Sequence, residues 1–324
     1  MQRPEALLQI LADGRFHSGE EIARLLGCSR SAVWKRIAAL REIPGLGVDS
    51  VTGRGYRLKQ PLELLDQQKI LASLPPHVAQ VLQDCQVRGS VDSTNALAMQ
   101  AAPEAGRGAA WFAEHQSSGR GRRGRTWLSP YGRNIYFTLA WQFNASLSEV
   151  SGLSIATGAV LAQVLRAQGL EGHGLKWPND LLWDRRKLAG ILLEVQGETD
   201  GPASVAIGIG INLDIDEQLK CEIDQPIVDL REAGVEPRRN RLAGQLLQAM
   251  VEMCLRFTRE GLQPFVEDWR RYDVFTGQSV RLIGPAREEV GINLGLAKDG
   301  GLRLQTDGGE KTFYAGEVSL RAGN

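Results

Sequence analysis

The sequence predicts an α+β protein in three parts: an N-terminal winged helix-turn-helix, a central mixed-sheet domain and a small C-terminal β-barrel. Three observations carry this. The first sixty residues combine short amphipathic helices with a glycine-tipped ribbon. From about Val87, apolar β-rich runs alternate with helical patterns. The last fifty residues hold short alternating strands between glycine turns. The boundaries read as 1–64, 65–272 and 273–324.

In the first part, Leu7, Leu8 and Leu11 give one apolar helical face. Ser18 reads as the N-cap of a second helix carrying Ile22, Leu25 and Leu26, which Gly27 ends. Ser29 caps a third helix with Val33, Ile37 and Leu40 at helical spacing. Val48–Val51 and Tyr56–Leu58 flank the turn Thr52-Gly53-Arg54-Gly55. Ser29, Arg30, Ser31, Lys35, Arg36 and Arg54 fall where DNA would lie against such a head. A helix-turn-helix also serves as a plain packing module. The charge balance favours DNA: residues 1–60 carry ten Lys/Arg and six Asp/Glu, the remainder 28 and 32.

Gln60–Leu74 reads as a connection with a short helix. Ala109–His115 and Asn134–Phe143 read as strands, and Leu147–Gln168 as a long helix. Ile191–Val195 and Val205–Ile211 are β-branched and read as buried strands. Arg241–Arg259 is an amphipathic helix and Pro264–Arg271 continues helical. Turns at Gly284-Pro285, Asp299-Gly300-Gly301 and Asp307-Gly308-Gly309 punctuate the barrel.

Composition narrows the function. A chain of 324 residues, 43% of them hydrophobic, buries a sizeable core, and 23% charged residues argue against disorder. Cys28, Cys85, Cys221 and Cys254 are widely spaced and the four histidines do not cluster. The expectation is neither a disulfide framework nor a zinc site, and a reducing compartment fits. The N-terminus has no long apolar run, and no stretch of about 18 apolar residues could span a bilayer. The expectation is a soluble, cytoplasmic protein that meets no membrane.

Chemistry concentrates in a few segments. Gly119–Arg125 packs four arginines and three glycines into seven residues. Glycine lets backbone approach a ligand closely, and arginine supplies planar donors for carboxylate or phosphate. Such a loop should close over an anion and lack order when empty. It formally matches GxGxxG, but no helix follows, which argues against a dinucleotide fold. No GxxxxGK[ST] occurs. Lys176-Trp177-Pro178-Asn179-Asp180 offers a cation, an amide and a carboxylate within five residues. Asp184–Lys187 reads as a basic turn, on its own a solvated hairpin tip. Gly208-Ile209-Gly210-Ile211-Asn212 is a strand whose glycines permit close contact. Ser93-Thr94-Asn95 alone reads as a helix N-cap.

Taken together, these segments resemble the biotin–protein ligases, in the bifunctional ligase/repressor form with a DNA-binding N-terminus. Phe16–Glu20, Ser93–Asn95, Gln116, Gly119–Arg125 with Trp127, Lys176–Asp180, Arg186–Gly190, Gly208–Asn212 and Gly316–Arg321 carry the likeness. They appear in the family's order across nearly the whole chain. The resemblance implies a class II synthetase-like mixed-sheet ligase domain and an SH3-like C-terminal barrel. It implies that Ser93, Thr94, Asn95, Gln116, Arg120, Gly121, Arg122 and Lys187 meet biotin. It puts Arg125, Trp127, Asn179, Asp180, Asn212 and Arg321 near the nucleotide, and makes Lys187, Arg122 and Lys176 the catalytic cations.

The implied reaction forms biotinyl-5'-AMP from biotin and ATP with Mg²⁺, then biotinylates a lysine of the biotin carboxyl carrier protein of acetyl-CoA carboxylase. The implied regulation is a homodimer, formed when adenylate is bound, that binds biotin operator DNA. No metal ligand is identified. Two other readings stand beside this one: a lipoate-type acyl-adenylating ligase, and a ligand-sensing regulator without ligase activity.

Overall fold

The computed structural model describes residues 5–101, 103–197, 201–236, 238–284, 288–315 and 319–322. Gly316, Glu317 and Val318 of the C-terminal motif, and Pro285 of a barrel turn, lie outside the described residues.

The head contains α1 (Glu5–Leu11), α2 (Gly19–Leu25), α3 (Arg30–Arg41), β1 (Val48–Val51) and β2 (Gly55–Leu58). Ser18 Oγ accepts the Glu21 N–H at 3.0 Å and Ser29 Oγ accepts the Ala32 N–H at 3.2 Å. Each cap contributes ~1 kcal/mol. Leu7, Leu8, Leu11, Ile22, Val33, Ile37 and Leu40 form the head's core, which Leu62 and Tyr131 complete from beyond the ribbon. His17 and Tyr56 exchange backbone hydrogen bonds of 2.9 Å, tying β2 to the turn before α2.

Residues 61–66 then cross to the central domain and are clamped there. The Arg239 guanidinium donates to Glu114 Oε2 at 2.8 Å, to Asn134 O at 2.8 Å and to Glu63 O at 2.5 Å. Glu114 Oε1 also accepts the Leu65 N–H at 2.5 Å. Asn240 accepts the Asp66 N–H at 2.7 Å and donates to Glu63 and Leu64. Arg239 and Glu114 are buried. Such a pair persists only because further hydrogen bonds satisfy both partners.

The central domain runs α4 (Gln67–Ala72), α5 (Pro76–Val81), β3 (Leu82–Val91), α6 (Thr94–Met99), β4 (Gly108–Gln116), β5 (Ile135–Phe143) and α7 (Leu153–Ala167). It continues with β6 (His173–Lys176), β7 (Asp180–Trp183), β8 (Arg186–Gly197), β9 (Ala203–Ile211), α8 (Glu217–Lys220), α9 (Arg239–Glu260) and α10 (Gln263–Arg270). Its seven strands order as β3-β4-β5-β9-β8-β7-β6, parallel at β3–β4 and antiparallel elsewhere.

Strand periodicity sorts the two faces. On β5, Ile135, Phe137, Leu139, Trp141 and Phe143 join the large core with α7, α9 and α10. On β9, Val205, Ile207, Ile209 and Ile211 do the same. The alternate positions, Thr138 on β5 and Gly208 and Gly210 on β9, therefore turn to the opposite face, where α6 packs. The functional residues gather on that second face.

The C-terminal strands are β10 (Ser279–Ile283), β11 (Glu288–Leu296), β12 (Leu302–Thr306), β13 (Gly309–Phe313) and β14 (Ser319–Ala322). They pair antiparallel in the order β13-β12-β11-β10-β14, without a closing β13–β14 pairing among the described residues. Val280, Leu282, Leu302, Leu304 and Leu320 merge into the central core. Among the described residues, no helix is long and apolar enough to cross a membrane.

Three boundaries differ from the sequence expectation. The long helix begins at Leu153, not Leu147, because the Ser146 N–H and hydroxyl bind the Glu149 carboxylate at 2.8 and 2.7 Å and hold a turn. Pro264–Arg271 belongs to a separate helix, since Gly261 at φ 65° breaks α9. Strand β3 was not anticipated: it is an edge strand with a largely polar, part-exposed pattern.

Candidate active site

Gly119–Trp127 folds as a closed hairpin. The Trp127 N–H donates to Gly119 O at 2.8 Å and the Gly121 N–H to Arg125 O at 2.7 Å. One turn of 3₁₀ helix, Arg122–Gly124, forms the tip, with Arg123 at φ 59°. Opposite charges and polar groups relieve the arginines. Arg120 lies 3.7 Å from Glu194. Arg122 donates to Asn179 Oδ1 at 3.2 Å and also to Ala315 O, so the C-terminal domain holds the tip.

The hairpin lies over two adjoining cavities. The narrow one, about 50 Å³, is lined by Ser93, Thr94, Asn95, Gln116, Arg120, Gly121 and Arg122, with Asn179 and Lys187. The wide one, about 460 Å³, is lined by Arg125, Trp127, Asn212 and Arg321 together with Glu222, Ile223 and Asp224. Trp127 and Lys187 belong to both walls.

The floor of the narrow cavity is a continuous polar network. Thr94 donates from its backbone and its hydroxyl to Gln116 Oε1, at 2.9 and 3.1 Å. The Thr138 hydroxyl sits 2.8 Å from Thr94 Oγ1 and 2.7 Å from Asn95 Oδ1. Asn95 donates to Glu194 at 2.7 Å and to Leu192 O at 3.2 Å. Ser93 holds the N-cap position of α6 but makes no side-chain cap bond. The triplet thus serves the cavity rather than the helix end.

Glycines let this floor form. A Cβ on Gly208 would fall 2.1 Å from Asn95 Oδ1, and one on Gly210 would fall 2.5 Å from the Trp127 indole. The Trp127 indole N–H is buried without a hydrogen-bond partner among the described residues.

Lys187 sits on β8, just after the two-residue turn Asp184–Arg185, where both residues have positive φ. That is the backbone of a tight hairpin. The Lys187 ammonium lies 2.7 Å from Asp180 Oδ1, an ion pair lacking hydrogen-bond alignment, and 5.3 Å from the Trp127 ring centre. Lys176 ends β6 behind this pair. Burial pushes its ammonium down to about 8; Asp180 opposes the shift, while Arg321, Lys187 and Arg125 add to it. Burial also lowers the Arg122 and Arg321 guanidiniums. The centre is a half-buried cluster of cations facing two cavities, an arrangement suited to bringing anions together.

Most predicted residues converge here. Asn179 lines the narrow cavity and not the wide one, and its amide donates to Ile191 O at 2.8 Å. Asp180 and Lys176 stand behind Lys187 and line neither cavity. Glu194 and Thr138 escaped sequence reasoning, although each is a polar residue inside an apolar strand, a readable signal of a buried site.

In the head, Ser29, Arg30, Ser31, Lys35 and Arg54 are exposed on α3 and the ribbon, and Arg36 is half-buried. Arg54 and Arg57 stack on the Phe16 ring at 4.2 and 4.6 Å. Trp34, 62% exposed beside Lys35, was also missed.

Comparison with known proteins matches residues 89–212 to the biotin/lipoate A/B protein ligase family, 3–57 to an HTH domain and 275–321 to the biotin protein ligase C-terminal domain. The bifunctional ligase/repressor BirA of Escherichia coli (strain K12) is 40% identical over 98% of this chain and 97% of its own. That of Bacillus subtilis (strain 168) is 33% identical over 95% of both. The Aquifex aeolicus biotin protein ligase solved with biotin and ATP covers 74% of this chain and all of its own, at 28% identity and a TM-score of 0.62. The chain belongs to the biotin protein ligases, in the bifunctional ligase/repressor class that joins a helix-turn-helix head to the ligase body.

Proposed function

We propose that this chain is an ATP-dependent biotin–[biotin carboxyl carrier protein] ligase and a biotin-responsive repressor, built of units 1–64, 65–272 and 273–324. The observation that carries the ligase reading is the shared wall: two cavities meet at Lys187 and Trp127. Biotin would occupy the narrow cavity, its ring on the polar network of Ser93, Thr94, Asn95 and Gln116, under Arg120 and Gly121. At about 50 Å³ that cavity admits it only as the hairpin moves. ATP would fill the wide cavity against Arg125, Trp127, Asn212 and Arg321.

In the first step a biotin carboxylate oxygen attacks the α-phosphorus and pyrophosphate leaves. Lys187 and Arg122 offset the repulsion between the two anions and hold them in line, and Lys176 adds positive charge from outside the two cavities. The hairpin then shields the mixed anhydride from water. In the second step a neutral carrier lysine attacks the acyl carbon and AMP leaves.

Among the described residues, no three His, Cys, Asp or Glu side chains cluster to hold a metal. Mg²⁺ would arrive on the ATP phosphates. The head's exposed Arg30, Lys35 and Arg54 support operator binding, and a homodimer formed with adenylate bound would present two such heads. The working compartment would be the cytoplasm.

A carrier-biotinylation assay tests the reading. Wild type with biotin and ATP should label the carrier protein, and Lys187→Ala should lower pyrophosphate release at least ~100-fold, the order expected for losing a transition-state charge contact. No label from wild type, or near-normal release from the variant, refutes it.

A further inference from the structure

The segment 216–226 walls the nucleotide-side cavity through Glu222, Ile223, Asp224 and Gln225. Its base is firm: Asn212 Nδ2 donates to Lys187 O at 3.3 Å and to Val228 O at 3.1 Å, and the Val228 N–H donates to Lys187 O at 3.0 Å. Its tip has little to hold it. None of residues 216–226 is buried, so apolar packing does not fix the segment. The backbone hydrogen bonds of 217–225 close within the segment itself. Asp216, Glu217, Glu222 and Asp224 are acidic and Lys220 alone is basic, so nucleotide phosphates would repel the tip.

Lys220 is the exception in every respect. Its side chain, only 12% exposed, reaches out of the segment to Asp229 at 3.1 Å and Glu232 at 2.8 Å, and within it to Glu217 at 2.7 Å. Those two outer anions are themselves built in. Asp229 accepts the Ile215 N–H at 3.2 Å and the Glu232 N–H at 2.8 Å, and Glu232 also pairs with Arg186. Arg186 adjoins Lys187, so the anchor rests on the strand that carries the central cation.

We propose that Lys220 is a positioning residue that pre-orders the wall of the nucleotide cavity before ATP arrives. The latch saves ATP the entropy of folding the segment and partly neutralises its acidic tip. This assignment rests on the reading of the wide cavity as the nucleotide site.

Full-length wild type, Lys220→Ala and Lys220→Arg are compared. Lys220→Ala should raise the KM for ATP about tenfold, ~1.4 kcal/mol, with kcat and the KM for biotin within ~2-fold of wild type; Lys220→Arg should recover most of the loss. Without ligand, amides of 216–225 should exchange faster in Lys220→Ala than in wild type, and saturating ATP should restore their protection. Unchanged exchange, or a fall in kcat with an unaltered KM for ATP, overturns the proposal. Wild type that releases no pyrophosphate refutes the ligase reading instead, and the ligand-free exchange still decides the latch.

Discussion

Lys176 shows how one residue stores a response. It is half-buried opposite Asp180 on the neighbouring strand, and desolvation pushes its ammonium down to about 8. An unfolded lysine titrates near 10.4. Between these values the unfolded chain binds the extra proton, so this group makes the protein more stable as pH rises through that window. An anion arriving beside Lys176 favours its charged form. ATP binding at pH 8–9 should therefore take up protons. Calorimetry in buffers of different ionisation enthalpy measures this, and Lys176→Met should abolish the uptake. Identical apparent enthalpies for wild type in all buffers would exclude the effect. That the segments carrying Lys187, Arg120 and Arg122 are cationic and glycine-rich was legible because side-chain chemistry is local, and the structure gathers these three around one cavity. Glu194 stands out as a polar residue in an apolar strand, but its partners were not legible, because Asn95 and Arg120 are distant in sequence and adjacent only after the sheet forms.

At the level of elements, caps and glycine stops were readable, and Ser18, Ser29 and Gly27 bound the head helices as expected. Edges were not: β3 gains its strand character from β4, not from its own composition. The crossing at residues 61–66 was equally hidden, since its anchors Glu114, Arg239 and Asn240 lie far along the chain. Arg239→Ala leaves Glu114 buried without its cation and should destabilise the protein by ~3 kcal/mol or more in denaturant unfolding. Arg239→Met with Glu114→Leu should recover much of that loss, because both charges go together. A double variant no better than the single would show that the hydrogen bonds to the crossing segment, rather than the stranded charge, set the cost.

At the scale of the molecule, the three-part order was visible in sequence because each part has its own periodicity. How the parts meet was not. The ligase body supplies catalysis, and the proposed regulation requires ligand to change assembly. Sedimentation of the full chain should show a shift from monomer to dimer on adding biotin plus ATP, with tighter operator binding in gel shift. An unchanged sedimentation profile would remove the linkage between adenylate and assembly.

Tyr131, four residues beyond Trp127, sits within the head's apolar core, with Pro130 close against Gly45. The head is thus not a detachable module. Cutting the chain after residue 64 would uncover the Tyr131 ring next to the hairpin, and a ligase without a head would gain from a more polar residue there. Loss of the DNA-binding part in a lineage would therefore be expected to carry a compensating change at position 131, so that one substitution near the catalytic hairpin would mark the retirement of a regulatory domain.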